Sequence, residues 1–149
     1  MKRTLVALAL VSSAAAAAPA ARAAGVAPVR YAITLAPDLI RHTFSGRETI
    51  DVRLDETTRV IELDGVGLAL VDARVASGDE TIDAAIRYDA DREKFALVLP
   101  HAIPAGAGRL TLGWSAALSH DLEGFYETVS RGRRYAFTHF EPASAPWIK

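Results

Sequence analysis

Histidines are the first residues to weigh, because imidazole is the side chain best suited to metal ligation and to proton transfer near neutrality. His42, His101, His120 and His139 lie far apart in the chain. None opens an H-E-x-x-H string, in which two histidines four residues apart share a helix face around zinc and the glutamate serves as base. As read from the sequence they are scattered surface histidines. Gly113-Trp114-Ser115-Ala116-Ala117 begins like a nucleophile elbow. It lacks the final glycine and lies in an alternating stretch rather than at a strand-to-helix turn, so Trp114 reads as a core aromatic. Neighbouring acids are common: Glu62 with Asp64, Asp79 with Glu80, Asp89 with Asp91. General acid–base work needs two carboxylates in one cleft with separated pKa values, and these sit in turn-like, solvated segments. Asp89, Asp91 and Glu93 lack the glycine and terminal glutamate of a calcium loop. The chain has no cysteine, which removes thiolate ligands, a thiol nucleophile and disulfides alike. One string remains, Thr138-His139-Phe140-Glu141-Pro142. On its own it is an alternating strand whose Glu141 is held extended by the proline that follows.

The elements around that string are strands. Tyr31, Ile33 and Leu35 alternate with other residues, and so do Ile50, Val52 and Leu54; Phe95, Leu97 and Leu99; and Leu110, Leu112 and Trp114. Period two is the mark of strands with one buried face. Residues 60–63, 68–75 and 134–140 are further candidates. Gly65 and Gly67, Ser77-Gly78-Asp79, Asp89 to Asp91 and Pro104 to Gly108 punctuate them as turns. The expected fold is all-β, an antiparallel sandwich or saddle-like sheet. Residues 116–126 could hold a short helix of a turn or two.

Residues 1–23 read as a signal peptide. Lys2 and Arg3 precede an apolar run from Leu5 to Val11, an alanine-rich stretch follows, and Ala21-Arg22-Ala23 is a small-x-small cleavage pattern. The expectation is cleavage before Ala24 and a periplasmic or secreted domain over residues 24–149. That domain is free of the membrane once the signal is removed. The whole chain carries a formal net charge of −1, and loss of Lys2, Arg3 and Arg22 makes the remainder more acidic. Arg131, Arg133 and Arg134 lie near Glu123 and Glu127 and read as a solvated turn, so no basic footprint for nucleic acid is expected.

Five strings in order carry a family likeness: Val29 to Leu39 with Pro37-Asp38-Leu39; Phe44-Ser45-Gly46 followed by Ile50-Asp51-Val52; Thr58 to Leu63; Leu118 to Tyr126, closing on Gly124-Phe125-Tyr126; and Thr138 to Pro142. Together they resemble the N-terminal domain of zinc aminopeptidases of the aminopeptidase N type, a gluzincin metallopeptidase family. The resemblance implies an antiparallel β-rich saddle that packs on a thermolysin-like catalytic domain. It implies that Glu141 binds the free amino group of a peptide substrate, through the strong class of charge-assisted hydrogen bond. It places His139 at a pocket position where the family usually has glutamine. Zinc is the cofactor of the full-length family, and none is expected in this chain. The string after Ala145 departs from the family pattern, so the expectation is a domain incomplete at its C-terminal end, from a truncated or frameshifted frame or a fragment, and inactive alone. Its implied partners are a catalytic domain and a peptide. The alternative from another class is a freestanding periplasmic β-sandwich that binds a protein, peptide or glycan.

Overall fold

The computed structural model describes residues 8–10, 25–65, 67–121 and 124–139. Glu141 and nearly all of the signal-peptide segment lie outside them. Among the described residues there are strands and no helix: β1 (Leu8–Leu10), β2 (Val26–Asp38), β3 (Thr43–Leu54), β4 (Thr58–Asp64), β5 (Ala69–Ser77), β6 (Glu80–Asp83), β7 (Ala85–Asp89), β8 (Lys94–Ile103), β9 (Gly106–Ala117), β10 (Gly124–Ser130) and β11 (Arg133–His139). The expected all-β antiparallel architecture is therefore what the chain adopts. The short helix expected over residues 116–126 does not form. Ala116 and Ala117 instead complete β9, and Phe125 and Tyr126 belong to β10. Ser119 pairs with Tyr126 in an isolated parallel bridge, so the backbone there is spent on strand contacts.

Six strands form the larger sheet in the order β1-β2-β3-β9-β5-β6. A second sheet has the order β4-β8-β7, and β10 with β11 forms a separate two-stranded hairpin. Alternation explains the layering. On β3, Phe44, Glu48, Ile50, Val52 and Leu54 point inward. Leu110, Leu112 and Trp114 of β9 meet them on the same face, and Phe95, Leu97 and Leu99 of β8 close the core from the opposite sheet. Tyr31 and Ile33 share the inward parity of β2 but stay about one-third exposed, because β2 lies toward the edge of the larger sheet. The chain changes sheets between β6 and β7, where the Ala84 amide donates to the Ala73 carbonyl at 2.9 Å. A corner of this kind lets two antiparallel sheets share one core.

Residues 1–23 carry no fold in the sequence reading, yet β1 pairs with β2, Leu8 opposite Leu35 and Leu10 opposite Ile33. The open edge of β2 offers unpaired backbone groups, and an apolar segment can add to such an edge. Among the residues whose side chains are described, the buried and packed core residues lie between Val26 and Ala136.

The recognisable strings turn out to be packing devices. Asp38 accepts the Ile40 and Arg41 amides, each at 3.0 Å, and so shapes the turn after β2. The Arg41 amide bond is the chief reason its carboxyl sits below the usual value. Gly46 stands opposite Trp114 in the β3–β9 ladder, and a Cβ at Gly46 would overlap the indole ring. Phe44 then meets Trp114 edge-on at 5.4 Å and Phe125 at 4.7 Å between ring centres, an arrangement that adds to plain burial. Phe44-Ser45-Gly46 and Gly124-Phe125-Tyr126 are thus two halves of one aromatic contact.

Replacing Gly46 with alanine should destabilise the domain by about 1–3 kcal/mol, as overpacking of a filled core does. Chemical denaturation measures it. Gly78→Ala is the contrast: a Cβ there meets nothing, and its strain comes from φ +60° alone. An undisturbed Gly46→Ala would show that the indole yields.

Candidate functional site

The hairpin carries the residues of interest. Arg131 (φ 49°) and Gly132 (φ 76°) form its two-residue turn, the positive-φ pair that matches strand twist in hairpins. Register then follows from Ser130 opposite Arg133 to Gly124 opposite His139. His139 is the last residue of β11 and is exposed. It shares residue parity with Tyr135 and Phe137, which are 41% and 47% exposed. Phe137 stacks on Tyr126 at 5.9 Å and lies 6.3 Å from Tyr135. One face of the hairpin is therefore an aromatic surface ending at His139. Glu141, the other residue assigned from sequence, lies outside the described residues.

The opposite face holds a group that sequence reasoning missed. Glu127 is buried, its side chain only 3% exposed. His42 Nδ1 lies 2.5 Å from its Oε1, Arg134 Nη1 3.4 Å from it, and His120 Nδ1 3.6 Å from it. With a carboxylate as acceptor, His42 must carry its proton on Nδ1. Arg134 Nη1 stands 3.5 Å from that nitrogen, so two donors converge on one oxygen. These partners come from separate places: the β2–β3 turn, the segment after β9, and β11. Two corrections follow. His42 and His120 are gathered around one carboxylate, 6.4 Å apart between ring centres, rather than scattered. Arg134 stays exposed, as a solvated turn residue would, but its guanidinium also reaches the buried Glu127. The His101 ring pairs with Glu80 at 3.2 Å, away from this cluster.

The cluster suits anchorage better than catalysis. Among the described residues no set of three or more His, Asp or Glu side chains is arranged to hold a metal ion. Here the guanidinium of Arg134 already supplies the positive charge beside Glu127. Backbone bonds tighten the same spot: the Ser119 amide donates to Phe125 and the Glu127 amide to Ser119.

A second buried carboxylate lies in the core. Glu48 is 8% exposed and lines a cavity of about 20 Å³ with Ile50, Leu63, Leu70, Leu112 and Trp114. Its Oε1 and the Trp114 Nε1 are buried without a hydrogen-bond partner among the described residues. Burial pushes the Glu48 carboxyl from its ordinary 4.5 up to about 7, since the charged form loses water and gains no cation. Burial, and secondarily the Glu48 charge, pushes the Tyr31 phenol up to about 12. A carboxyl poised near neutrality often marks a catalytic acid. This one opens onto space for about one water molecule, too little for a substrate. Both glutamates could have been suspected from parity: Glu48 falls in phase with Phe44 and Ile50, Glu127 with Phe125.

An antiparallel β domain with an aromatic hairpin at one end defines the class, and the comparisons give the family. The model of the Peptidase M1 N-terminal domain matches residues 27–147. The chain is 34% identical over 128 residues to Aminopeptidase M1 of Arabidopsis thaliana, covering 79% of this chain and 14% of that protein. It is 29% identical over 122 residues to Aminopeptidase M1-B of Oryza sativa subsp. japonica, covering 79% and 14%. To Aminopeptidase 2 of Candida albicans it is 26% identical over 122 residues, covering 78% and 13%. The chain belongs to the family of peptidase M1 N-terminal domains. It spans about one-seventh of the length of these curated relatives.

The Glu48 carboxyl gives a pH prediction with a definite sign. Its folded value exceeds its unfolded one, so between pH 4.5 and 7 the folded state holds more protons. Stability should therefore fall as pH rises through that window, by up to roughly 3 kcal/mol, and level off above it. Denaturation of wild type and Glu48→Gln at pH 4.5, 6 and 8 isolates the effect, because the histidines are common to both. Parallel pH profiles would show that Glu48 is not the titrating group.

Proposed function

We propose that this chain is the amino-terminal β domain of an exported zinc aminopeptidase, one that helps to recognise the free amino end of a peptide and is inactive without a catalytic unit. The family match over residues 27–147 carries the reading. The hairpin geometry supports it. Exposed Tyr135 and Phe137, with half-buried Tyr126, form an aromatic face suited to a neighbouring domain. The strand that bears it leads through His139 toward Glu141. In this reading the Glu141 carboxylate meets the ammonium of the substrate, and His139 lines the space beside the first side chain. The water-activating zinc and its base come from the catalytic unit.

Export follows from the segment between Lys2 and Ala23. N-terminal sequencing of the exported protein should begin at Ala24. Recovery of a soluble cytoplasmic product with Met1 to Arg3 intact would overturn the export.

Purified residues 24–149 should not turn over aminoacyl anilides and should hold no stoichiometric zinc. Chelator-sensitive turnover with near one equivalent of zinc would overturn the proposal. Joined to the catalytic remainder of an M1 relative, the chain should support hydrolysis. Glu141→Ala should then lower kcat/KM about a hundredfold, or roughly 2–3 kcal/mol, for substrates with a free amino terminus. A blocked amino terminus should abolish that difference. An unchanged kcat/KM would remove Glu141 from substrate binding.

A further inference from the structure

We infer that Glu127 is a positioning residue, a buried carboxylate that anchors the β10–β11 hairpin to the β2–β3 turn and sets where β11 ends. Its bearing on substrate rests on the function proposed above; the anchorage itself does not. Besides Glu127, the isolated Ser119–Tyr126 bridge and the Phe125–Phe44 ring contact hold the hairpin; its own strands pair as a separate two-stranded sheet. Beyond Glu127, β10 is exposed from Thr128 to Ser130, and most of β11 is exposed as well. Phe125 and Ala136 pack against the core only in part.

Glu127 adds a direct side-chain tie to the backbone path that runs from His42 through Leu118 and Ser119 to β10. His42 holds a left-handed conformation at φ 57°, and its carbonyl accepts the Leu118 amide at 2.9 Å. The imidazole is thereby fixed on a braced turn before it meets Oε1 at 2.5 Å. On the other side Arg134 carries the tie across to β11, five residues before His139. Glu127 stands opposite Ala136 in the ladder, so Arg134 reaches it diagonally on the same face. A carboxylate this deeply buried is costly unless charged donors surround it. Loss of either side therefore releases the hairpin rather than merely weakening a surface pair. Oε2 is buried without a hydrogen bond among the described residues. His120 Nδ1, 3.6 Å from Oε1 on a 77% exposed side chain, stands beyond hydrogen-bond distance, so His42 and Arg134 carry the contact.

Residue-resolved hydrogen exchange on the full chain tests the anchor. In Glu127→Gln, which keeps the shape and removes the charge, the amides of β10 and β11 should exchange at least tenfold faster. Those of Ile50, Val52, Leu110 and Leu112 should not change. His42→Gln, a milder variant, should give the same pattern at smaller amplitude. Uniform acceleration through the core, or none, would overturn the anchor. With the chain joined to a catalytic remainder, Glu127→Gln should raise KM for peptides severalfold with kcat nearly constant. A lowered kcat at constant KM would overturn the positioning role. Faster hairpin exchange with an unchanged KM would confirm the anchor and overturn its link to substrate, and so count against the proposed function rather than against the anchor.

Discussion

The close approach of Gly46 to the indole of Trp114 is the constraint from which the arrangement follows. Because no side chain stands at Gly46, the Trp114 ring packs directly against β3 there. Phe44, two residues earlier on the same face, then meets Trp114 edge-on and reaches Phe125. That chain of rings connects the central ladder of the larger sheet to the hairpin. Dispersion contacts of this kind are small one by one and decisive in sum. They also demand shape, since a filled core has no room for an added methyl group.

Two buried glutamates show what a protein can do with a carboxylate away from water. Glu127 keeps its charge company: an imidazole, a guanidinium and a second imidazole close on one oxygen. It acts as a bolt between segments that share no ladder. Glu48 has the core around it and no cation, so its proton becomes more tightly held. The first arrangement serves geometry, the second makes stability answer to pH. Exposed pairs such as Arg109 with Asp51 (2.6 Å) add less, because solvent screens them and long side chains lose freedom in holding them.

The hairpin joins these features. Its inner face is tied down by Phe125 and Glu127, while its outer face presents aromatic rings to solvent. A two-sided element of this kind can carry the position of the core outward to the end of β11. The chain spans about one-seventh of the length of its curated relatives.

Strand class, inward faces and turn positions were legible in the residues, because alternation and Gly, Pro and Asp clusters act locally. Ile50 with Val52, Leu97 with Leu99, and Leu110 with Leu112 are buried as their parity requires. The family was legible too, and the structure explains why: Gly46, Phe44, Asp38 and Phe125 each meet a geometric demand that few other residues could satisfy. Pairing across the chain was not legible. Nothing local says that His42 meets Glu127, 85 positions away, or that the exposed Arg134 reaches the same carboxylate. The helix suggested for residues 116–126 failed for the same reason: partners such as Ser119 and Tyr126 outcompeted a short local helix. Sequence alone determined which residues face inward. Tertiary structure decided which charges meet there, because that choice depends on ladder register and on the cost of burying a carboxylate alone.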